Sequence, residues 1–245
     1  ARKDTDLPFH PWRDDEGPDA ALAALLEACG ATRPNLSVVL DETMRTDFSL
    51  RLLDALETPR RRFADDTVSL LRASKDDSEY HAIKAAHLTN DKAVKAAFAA
   101  LKEGVTEREI VELIKSEYAA AGATLEFCSV CFGASGAFPH HTPGDTQLTR
   151  NSAVLIDTGC RLDGYPSDMT RCGYFGAPEE GYEEVFAVVE KAVQAALAVA
   201  KPGVVASDID KAARDVITAA GYGDRFLHRT GHGLGIDIHE PPYIA

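Results

Sequence analysis

The sequence has 245 residues, of which 45% are hydrophobic and 27% charged, a balance typical of a soluble globular protein with a substantial core. Its 39 acidic and 26 basic side chains give a formal net charge of −13, which argues against nucleic acid or an anionic membrane as a partner. The five cysteines are odd in number and lack framework spacing, so we expect a protein of the reducing cytoplasm.

The first 72 residues have the pattern of a small α/β unit. Helices are predicted over Pro18–Ala28 and Thr46–Leu56, and a buried strand over Leu36–Leu40. One strand is too few for an independent sheet. We therefore expect residues 1–72 to be an incomplete N-terminal α/β domain.

Beyond a polar boundary near residues 73–77, two helices, a strand, a β-hairpin and two further helices are predicted in turn. Capping pairs predict two helix starts, Asp76 with Glu79 and Thr106 with Glu109. The other predicted features, in chain order, are helix ends near Gly104 and Ala121, a strand over Leu125–Phe132, a helix over Pro178–Ala200, and a last helix opened by Ser207 and Asp210 that ends at Gly221.

Part of the chain repeats at a constant offset of 99 residues. Residues 92–122 align without a gap to residues 191–221, through a helix, a glycine stop and a second helix. Alanine richness and common helix patterns inflate the match, but the uninterrupted register favours two helix-helix-strand halves with quasi-twofold symmetry. The same offset relates His140 to His239, which we expect to face each other across the axis.

The central stretch VLIDTGCRLDGYPSDMTR predicts a β-hairpin that turns at Asp163-Gly164. With that turn, Asp157 pairs with Thr170, and Asp168 becomes its diagonal neighbour on the same face of the sheet. Two adjacent carboxylates repel each other unless a positive charge lies between them, and hard divalent cations bind carboxylate oxygens. The hairpin therefore indicates a metal centre, with two solvated acids as the alternative.

Three of the eight histidines lie in the stretch FLHRTGHGLGIDIHEPP, at His228, His232 and His239. Glycines on both sides of His232 disfavour a helix and let the backbone approach a ligand closely. Imidazoles combined with carboxylates suit Mn²⁺, Fe²⁺, Co²⁺ or Zn²⁺. The alternatives are hydrogen-bonded structural histidines and, for His140, a position on a surface loop.

Four motifs occur in a fixed order, namely Asp157-x-Gly159, Gly164-Tyr165-x-Ser167-Asp168-x-Thr170-Arg171, Gly231-His232-Gly233-x-Gly235 and His239-Glu240-x-Pro242. They resemble the Xaa-Pro peptidase branch of the pita-bread metallopeptidases, a family that includes Xaa-Pro dipeptidase (prolidase), aminopeptidase P and methionine aminopeptidase. The resemblance covers about residues 73–245. It implies an α+β fold, with a pita-bread (creatinase/aminopeptidase) catalytic domain of pseudo-twofold symmetry preceded by a smaller α/β domain.

The resemblance also implies a dinuclear metal site. By motif position, Asp157 would chelate one ion, Asp168 would bridge both, and His232 would bind the other. Mn²⁺ or Co²⁺ is favoured, with Zn²⁺ and Fe²⁺ as alternatives. Two such ions lower the pKa of a bridging water and polarise the amide carbonyl, which suits peptide hydrolysis.

The resemblance also assigns roles to three other candidate histidines. His140 and His239 would be catalytic residues that flank the scissile bond, and His228 would line the pocket for the proline side of the substrate. The implied activity is that of an Xaa-Pro dipeptidase, which cleaves the amide before a C-terminal proline in small peptides, and a homodimer is expected. The alternatives are an aminopeptidase P that releases the N-terminal residue of Xaa-Pro-Xaa peptides, and a metal-free creatinase-like or binding member.

Two departures from the family pattern stand out. The family's two glutamate ligands would lie beyond Ala245, so we expect residues 73–245 to lack the C-terminal part of the catalytic domain and the chain to be a piece of a longer enzyme. In addition, Arg150-Asn151-Ser152 stands where the family usually has a Gly-Asp turn.

Overall fold

The computed structural model describes residues 6–31, 33, 35–56, 59–64 and 67–245. The chain divides into two compact units, Ala1–Leu71 and Arg72–Ala245. Among the described residues, no helix combines the length and the apolar character needed to cross a bilayer.

Among its described residues, the first unit contains two complete helices and a two-stranded sheet. Its elements are α1 (Asp19–Ala28), β1 (Ser37–Leu40), α2 (Thr46–Asp54) and β2 (Arg60–Phe63). The two strands run parallel along their whole length. The prediction of a single strand was wrong, because β2 has the exposed sequence RRRF, which shows neither an apolar run nor alternation. The bounds of the helices and of β1 are confirmed to within two residues at each end, but the prediction that β1 is buried was wrong, because its residues are alternately exposed and half-buried.

The boundary between the units falls within the short helix α3 (Ser69–Ala73), and the second unit is the larger. Its other elements are α4 (Asp77–Ala99), α5 (Glu107–Ala120), β3 (Thr124–Phe132), β4 (Ser152–Leu162), β5 (Tyr165–Pro166), β6 (Met169–Phe175), α6 (Tyr182–Val199), α7 (Ala206–Ala219), β7 (Gly231–Gly233) and β8 (Glu240–Ile244). β4 is the central strand of an antiparallel sheet, with β3 on one side and β5 and β6 on the other. β7 and β8 form a separate antiparallel ribbon. The predicted α+β class is confirmed.

Two clusters of buried apolar side chains lie among these elements. The larger cluster packs α4 and α5 against the sheet and includes Ile114, Tyr118 and Ile156, which have no exposed surface. The smaller cluster lies between α6 and α7. Both ends of α7 follow the corresponding ends of α5 by the predicted 99 residues, so the repeat is confirmed for these two helices.

Local signals correctly located two helix starts. Asp76 with Glu79 and Thr106 with Glu109 form complete capping boxes, in which each side chain bonds the backbone N–H of the other residue. These bonds satisfy N–H groups that a helix start otherwise leaves without partners.

Three other helix boundaries differ from the prediction. α4 ends at Ala99, before Gly104, and α6 begins at Tyr182 rather than Pro178. The predicted cap by Ser207 and Asp210 was wrong, since α7 has no side-chain cap. The carboxylate of Asp210 bonds instead to groups distant from the helix start, as described below.

The register of the central hairpin is confirmed. Asp163 and Gly164 both have positive φ angles, 50° and 85°, as a two-residue turn of this twist requires. In consequence Asp157 pairs with Thr170, as predicted from the turn position. Asn151 also has a positive φ, 65°, at the position where the related family usually has a glycine turn, and asparagine tolerates this conformation better than most residues.

Candidate metal centre

Asp157 lies near the middle of β4, half-buried, beside the return strand of the hairpin. Its carboxylate accepts a hydrogen bond of 2.7 Å from the hydroxyl of Thr170. Burial raises the pKa of Asp157; the bond from Thr170 opposes this rise, and the nearby charge of Asp168 adds to it. A cation between the two acids would relieve both the burial cost and the repulsion.

Asp168 occupies a break between β5 and β6, and the preceding residue explains the break. Ser167 is fully buried, and its side-chain oxygen accepts a hydrogen bond from the N–H of Cys160, while its own N–H donates to the Cys160 carbonyl. A side chain therefore takes part of the role of the backbone ladder at this point. The backbone of Ser167 approaches Gly159 so closely that a Cβ there would lie 2.0 Å from the Ser167 carbonyl oxygen. Gly159 is thus required for the position of Asp168.

His232, on β7, and His239, in the loop that ends at β8, lie close to Asp168. Nε2 of His232 lies 3.2 Å from Oδ2 of Asp168, and the two imidazole centroids are 4.3 Å apart. One potential ligand atom from each of the three residues lies within 4.8 Å of the other two. Loss of hydration lowers the pKa of His239, and the adjacent His232 lowers it further, whereas Asp168 opposes the shift.

The other predicted site residues lie outside this three-residue group. Asp157 is near enough to Asp168 for their charges to interact, as stated above. His140 is exposed in a turn, and its charge acts to lower the pKa of Asp157. His228 is exposed; its Nδ1 bonds the Arg229 carbonyl, and its ring contacts Phe226 edge-on.

Two buried carboxylates, to which the sequence analysis assigned no role at the site, hold the histidine segments in place. Asp210, on α7, accepts hydrogen bonds from the N–H and the hydroxyl of Thr230, at 3.0 and 2.7 Å. Its ion-pair partner Arg214 donates to the carbonyls of Phe226 and His228. Arg214 lowers the pKa of Asp210 against the effect of burial. The segment that contains His228 is therefore fixed from α7.

Glu240 anchors the other histidine segment. Its side chain is 5% exposed and forms ion pairs with Arg72 and, at 2.9 Å, with Lys75. It also accepts a hydrogen bond of 3.0 Å from the N–H of Asp237. A Cβ on Gly235 would lie 2.2 Å from this carboxylate, so a larger residue there would displace the Glu240 side chain from its partners. Burial acts to raise the pKa of Glu240, but the bonds from Asp237, Lys75 and Arg72 outweigh it and lower the pKa. Because Glu240 is anchored in this way, the backbone position of the preceding residue, His239, is also fixed.

The donor set fits a divalent cation. Carboxylate oxygens and imidazole nitrogens converge on one region, and these ligand types suit Mn²⁺, Co²⁺, Fe²⁺ and Zn²⁺. Burial is the main cause of the raised pKa of Asp157, and a cation bound beside its carboxylate would favour the ionised form.

Comparison with known proteins identifies the family. A model described as metallopeptidase family M24 matches residues 81–245, and the chain belongs to this family. An uncharacterized peptidase of Staphylococcus saprophyticus is 45% identical over 191 residues, which are 77% of this chain and 55% of that protein. The chain thus spans about half the length of the curated relatives that it matches.

Solved structures agree with this assignment. A prolidase from Thermococcus sibiricus is 32% identical with a TM-score of 0.91, and the match covers 99% of this chain and 66% of that one. An X-Pro aminopeptidase from Thermotoga maritima is 29% identical with a TM-score of 0.85, and covers 100% of this chain and 67% of its own. The expected α+β pita-bread fold is confirmed.

Proposed function

We propose that the chain is part of a metal-dependent Xaa-Pro dipeptidase, which hydrolyses the amide bond before a C-terminal proline. The observation that carries the proposal is the convergence of Asp168, His232 and His239, whose ligand atoms lie within 4.8 Å of one another. Similarity to proteins named prolidase supports the substrate class. Residues 1–72 would be the smaller N-terminal domain and residues 73–245 part of the catalytic domain, in a cytoplasmic homodimer.

In this proposal Asp157, Asp168 and His232 hold two divalent ions, Mn²⁺ or Co²⁺ by preference. Bound ions supply an activated water and polarise the scissile carbonyl. The hydroxyl of Thr170 fixes one oxygen of Asp157 and leaves the other free to bind. The ring of His232 is oriented by the contact of its Nδ1 with the Gly233 carbonyl at 2.9 Å, so that Nε2 lies 3.2 Å from Oδ2 of Asp168, on the side of the proposed ions.

The remaining histidines act on the substrate. His239 has a lowered pKa and is neutral at neutral pH, so a ring N–H can donate to the oxygen that gains negative charge. His140, near Asp157, would exchange a proton with the leaving nitrogen. His228, on the segment fixed by Arg214, would line the proline pocket.

The test uses the full-length protein, stripped of metal and reloaded with Mn²⁺ or Co²⁺. Hydrolysis of Ala-Pro is compared with that of Ala-Pro-Ala and of Ala-Ala. We expect Ala-Pro to be the best substrate and Asp168→Asn to abolish both turnover and stoichiometric metal binding. Preference for Ala-Pro-Ala would replace the proposal with an aminopeptidase P, a function favoured by the similarity to the Thermotoga maritima enzyme. Normal turnover without metal would refute the metal-dependent mechanism.

A further inference from the structure

Glu107, the first residue of α5, has a carboxylate with no exposed surface. Oε1 accepts the N–H of Phe132 at 3.0 Å, and Oε2 accepts the N–H of Gly144 at 3.1 Å. Oε2 also lies 2.8 Å from Nε2 of His141. These partners lie at both ends of residues 132–144, the segment that carries His140.

Donors in that segment stabilise the negative charge of the buried Glu107 carboxylate. Burial acts to raise the pKa of Glu107, but hydrogen bonds from His141, Gly144, Phe132 and Ser135 outweigh it and lower the pKa. The carboxylate is therefore ionised, and the start of α5 adds favourable dipole interactions. An ionised carboxylate accepts only, so His141 donates from Nε2. A buried charge bonded by several donors favours one arrangement of the groups around it, because the loss of any one hydrogen bond leaves part of a buried charge unpaired and lowers stability.

Backbone hydrogen bonds also join the start of α5 to the end of this segment and the residues just after it. The N–H of Glu107 donates to the Thr146 carbonyl at 3.1 Å, and the N–H of Arg108 donates to the Gly144 carbonyl at 3.0 Å. The carbonyl of His141 accepts the hydroxyl of Ser129, on β3, at 3.0 Å. Since β3 pairs directly with β4, the contacts of His141 link the segment to the strand that carries Asp157.

We infer that Glu107 is the positioning residue for His140: it holds both ends of residues 132–144 and so fixes the position of the His140 imidazole relative to β4, the strand of Asp157. The inference rests on the proposed function for the role of His140 in catalysis. Glu107 touches neither substrate nor metal ligand; it acts through the segment. If Glu107 were purely structural, its replacement would lower stability without a selective effect on the step that His140 serves.

The first experiment is a double-mutant cycle in the full-length, metal-loaded protein. Glu107→Gln keeps the size of the side chain but replaces one acceptor oxygen with an NH₂ group, which opposes one of the donors. With Ala-Pro as substrate we expect kcat to fall about 10- to 100-fold and KM to change less than about threefold, because small displacements of a catalytic group cost that much. In the His140→Ala background the same change should cost at most about twofold. Equal losses in both backgrounds would overturn the inference.

The second experiment does not depend on activity. Hydrogen–deuterium exchange of residues 132–144 should accelerate in Glu107→Gln. The matched control is Glu109→Gln, which alters the cap of the same helix but contacts no part of the segment; its exchange in residues 132–144 and its kcat should equal those of the wild type. If Glu107→Gln does not fold, His141→Ala tests the same link, since it removes one donor and leaves the carboxylate its backbone partners.

The outcomes separate the two proposals. A wild-type protein that cleaves none of the peptides refutes the proposed function, and the exchange experiment still decides whether Glu107 holds the segment. Unchanged exchange in Glu107→Gln overturns the inference whatever the activity. Faster exchange together with a non-additive cycle supports it.

Discussion

Replacement of Gly159 by alanine tests whether close approach of two strands positions Asp168. The added methyl group would lie 2.0 Å from the Ser167 carbonyl oxygen and 2.5 Å from Cε1 of Phe127. Real Cβ contacts are not shorter than 3.0 Å, so the backbone of Ser167 must move away by at least about 1 Å. That movement breaks two of the hydrogen bonds between Ser167 and Cys160, those of 3.0 and 2.7 Å.

The expected cost follows from these contacts. Overpacking of a core position costs about 1–3 kcal/mol, and each lost hydrogen bond costs about 0.5–1.5 kcal/mol. We therefore expect Gly159→Ala to lower the free energy of unfolding by about 2–6 kcal/mol, measured by urea denaturation of the full-length protein. Because Asp168 follows Ser167, metal affinity should fall as well, measured by calorimetry under native conditions.

The control for this prediction is Gly136→Ala. Its Cβ would lie 3.9 Å from that of Cys131, an ordinary contact, so we expect a change within about 0.5 kcal/mol. A Gly159→Ala protein that loses less than about 1 kcal/mol and keeps its metal affinity would refute the reasoning.

Three further predictions concern the full-length protein. Chelation of metal should lower the melting temperature of the wild type but not that of Asp168→Asn, because only a protein that binds the ion is stabilised by it; equal shifts in calorimetry would contradict this. Asp210→Asn should cost about 2–4 kcal/mol at pH 7 in urea denaturation, since it breaks the pair with Arg214. The pKa of Asp210 is lowered in the folded state, so this loss should shrink as the pH falls below about 4, and a constant difference down to pH 2 would refute the assignment. Asn90→Ala removes a fully buried amide that donates to a β4 carbonyl at 2.7 Å and accepts the Tyr118 hydroxyl, and should cost about 2–4 kcal/mol, whereas Tyr118→Phe should cost less.

Local rules predicted the elements whose signals lie close together in the chain. The turn at Asp163-Gly164 determined the register of the hairpin, because a two-residue turn leaves one pairing for every residue that follows. The capping pair at Asp76 and Glu79 determined a helix start, because its two side chains are three residues apart and bond the first N–H groups of the helix. β2 was missed because its pairing to β1 uses backbone groups, which three successive arginines do not reveal.

The candidate site was only partly predictable. The convergence of Asp168 with His232 depends on how a hairpin and a distant ribbon pack, and the sequence indicated it through family motifs rather than through spacing. The inclusion of His239 in the same group was not expected, since its motif position implied a catalytic role. The structure brings Asp168, His232 and His239 together, and the metal roles of Asp157, Asp168 and His232, the catalytic roles of His140 and His239 and the substrate role of His228 stay predictions.

The supporting carboxylates had no usable sequence signal. Glu107 occurs in the first turn of a helix, where exposed acids are common, and Asp210 has the spacing of a helix cap. Whether such a group is buried, and which donors surround it, depends on segments far away in the chain. A pattern of residue types cannot report those partners.

The ion pairs of Glu240 determine where the second unit can be shortened. The helix cap at Asp76 is an attractive first residue for a trimmed protein, yet such a cut would delete Arg72 and Lys75, the two cations that surround this carboxylate. A lone buried negative charge would then remain next to His239. Domain exchange or crystallisation of this unit should therefore begin upstream of Arg72.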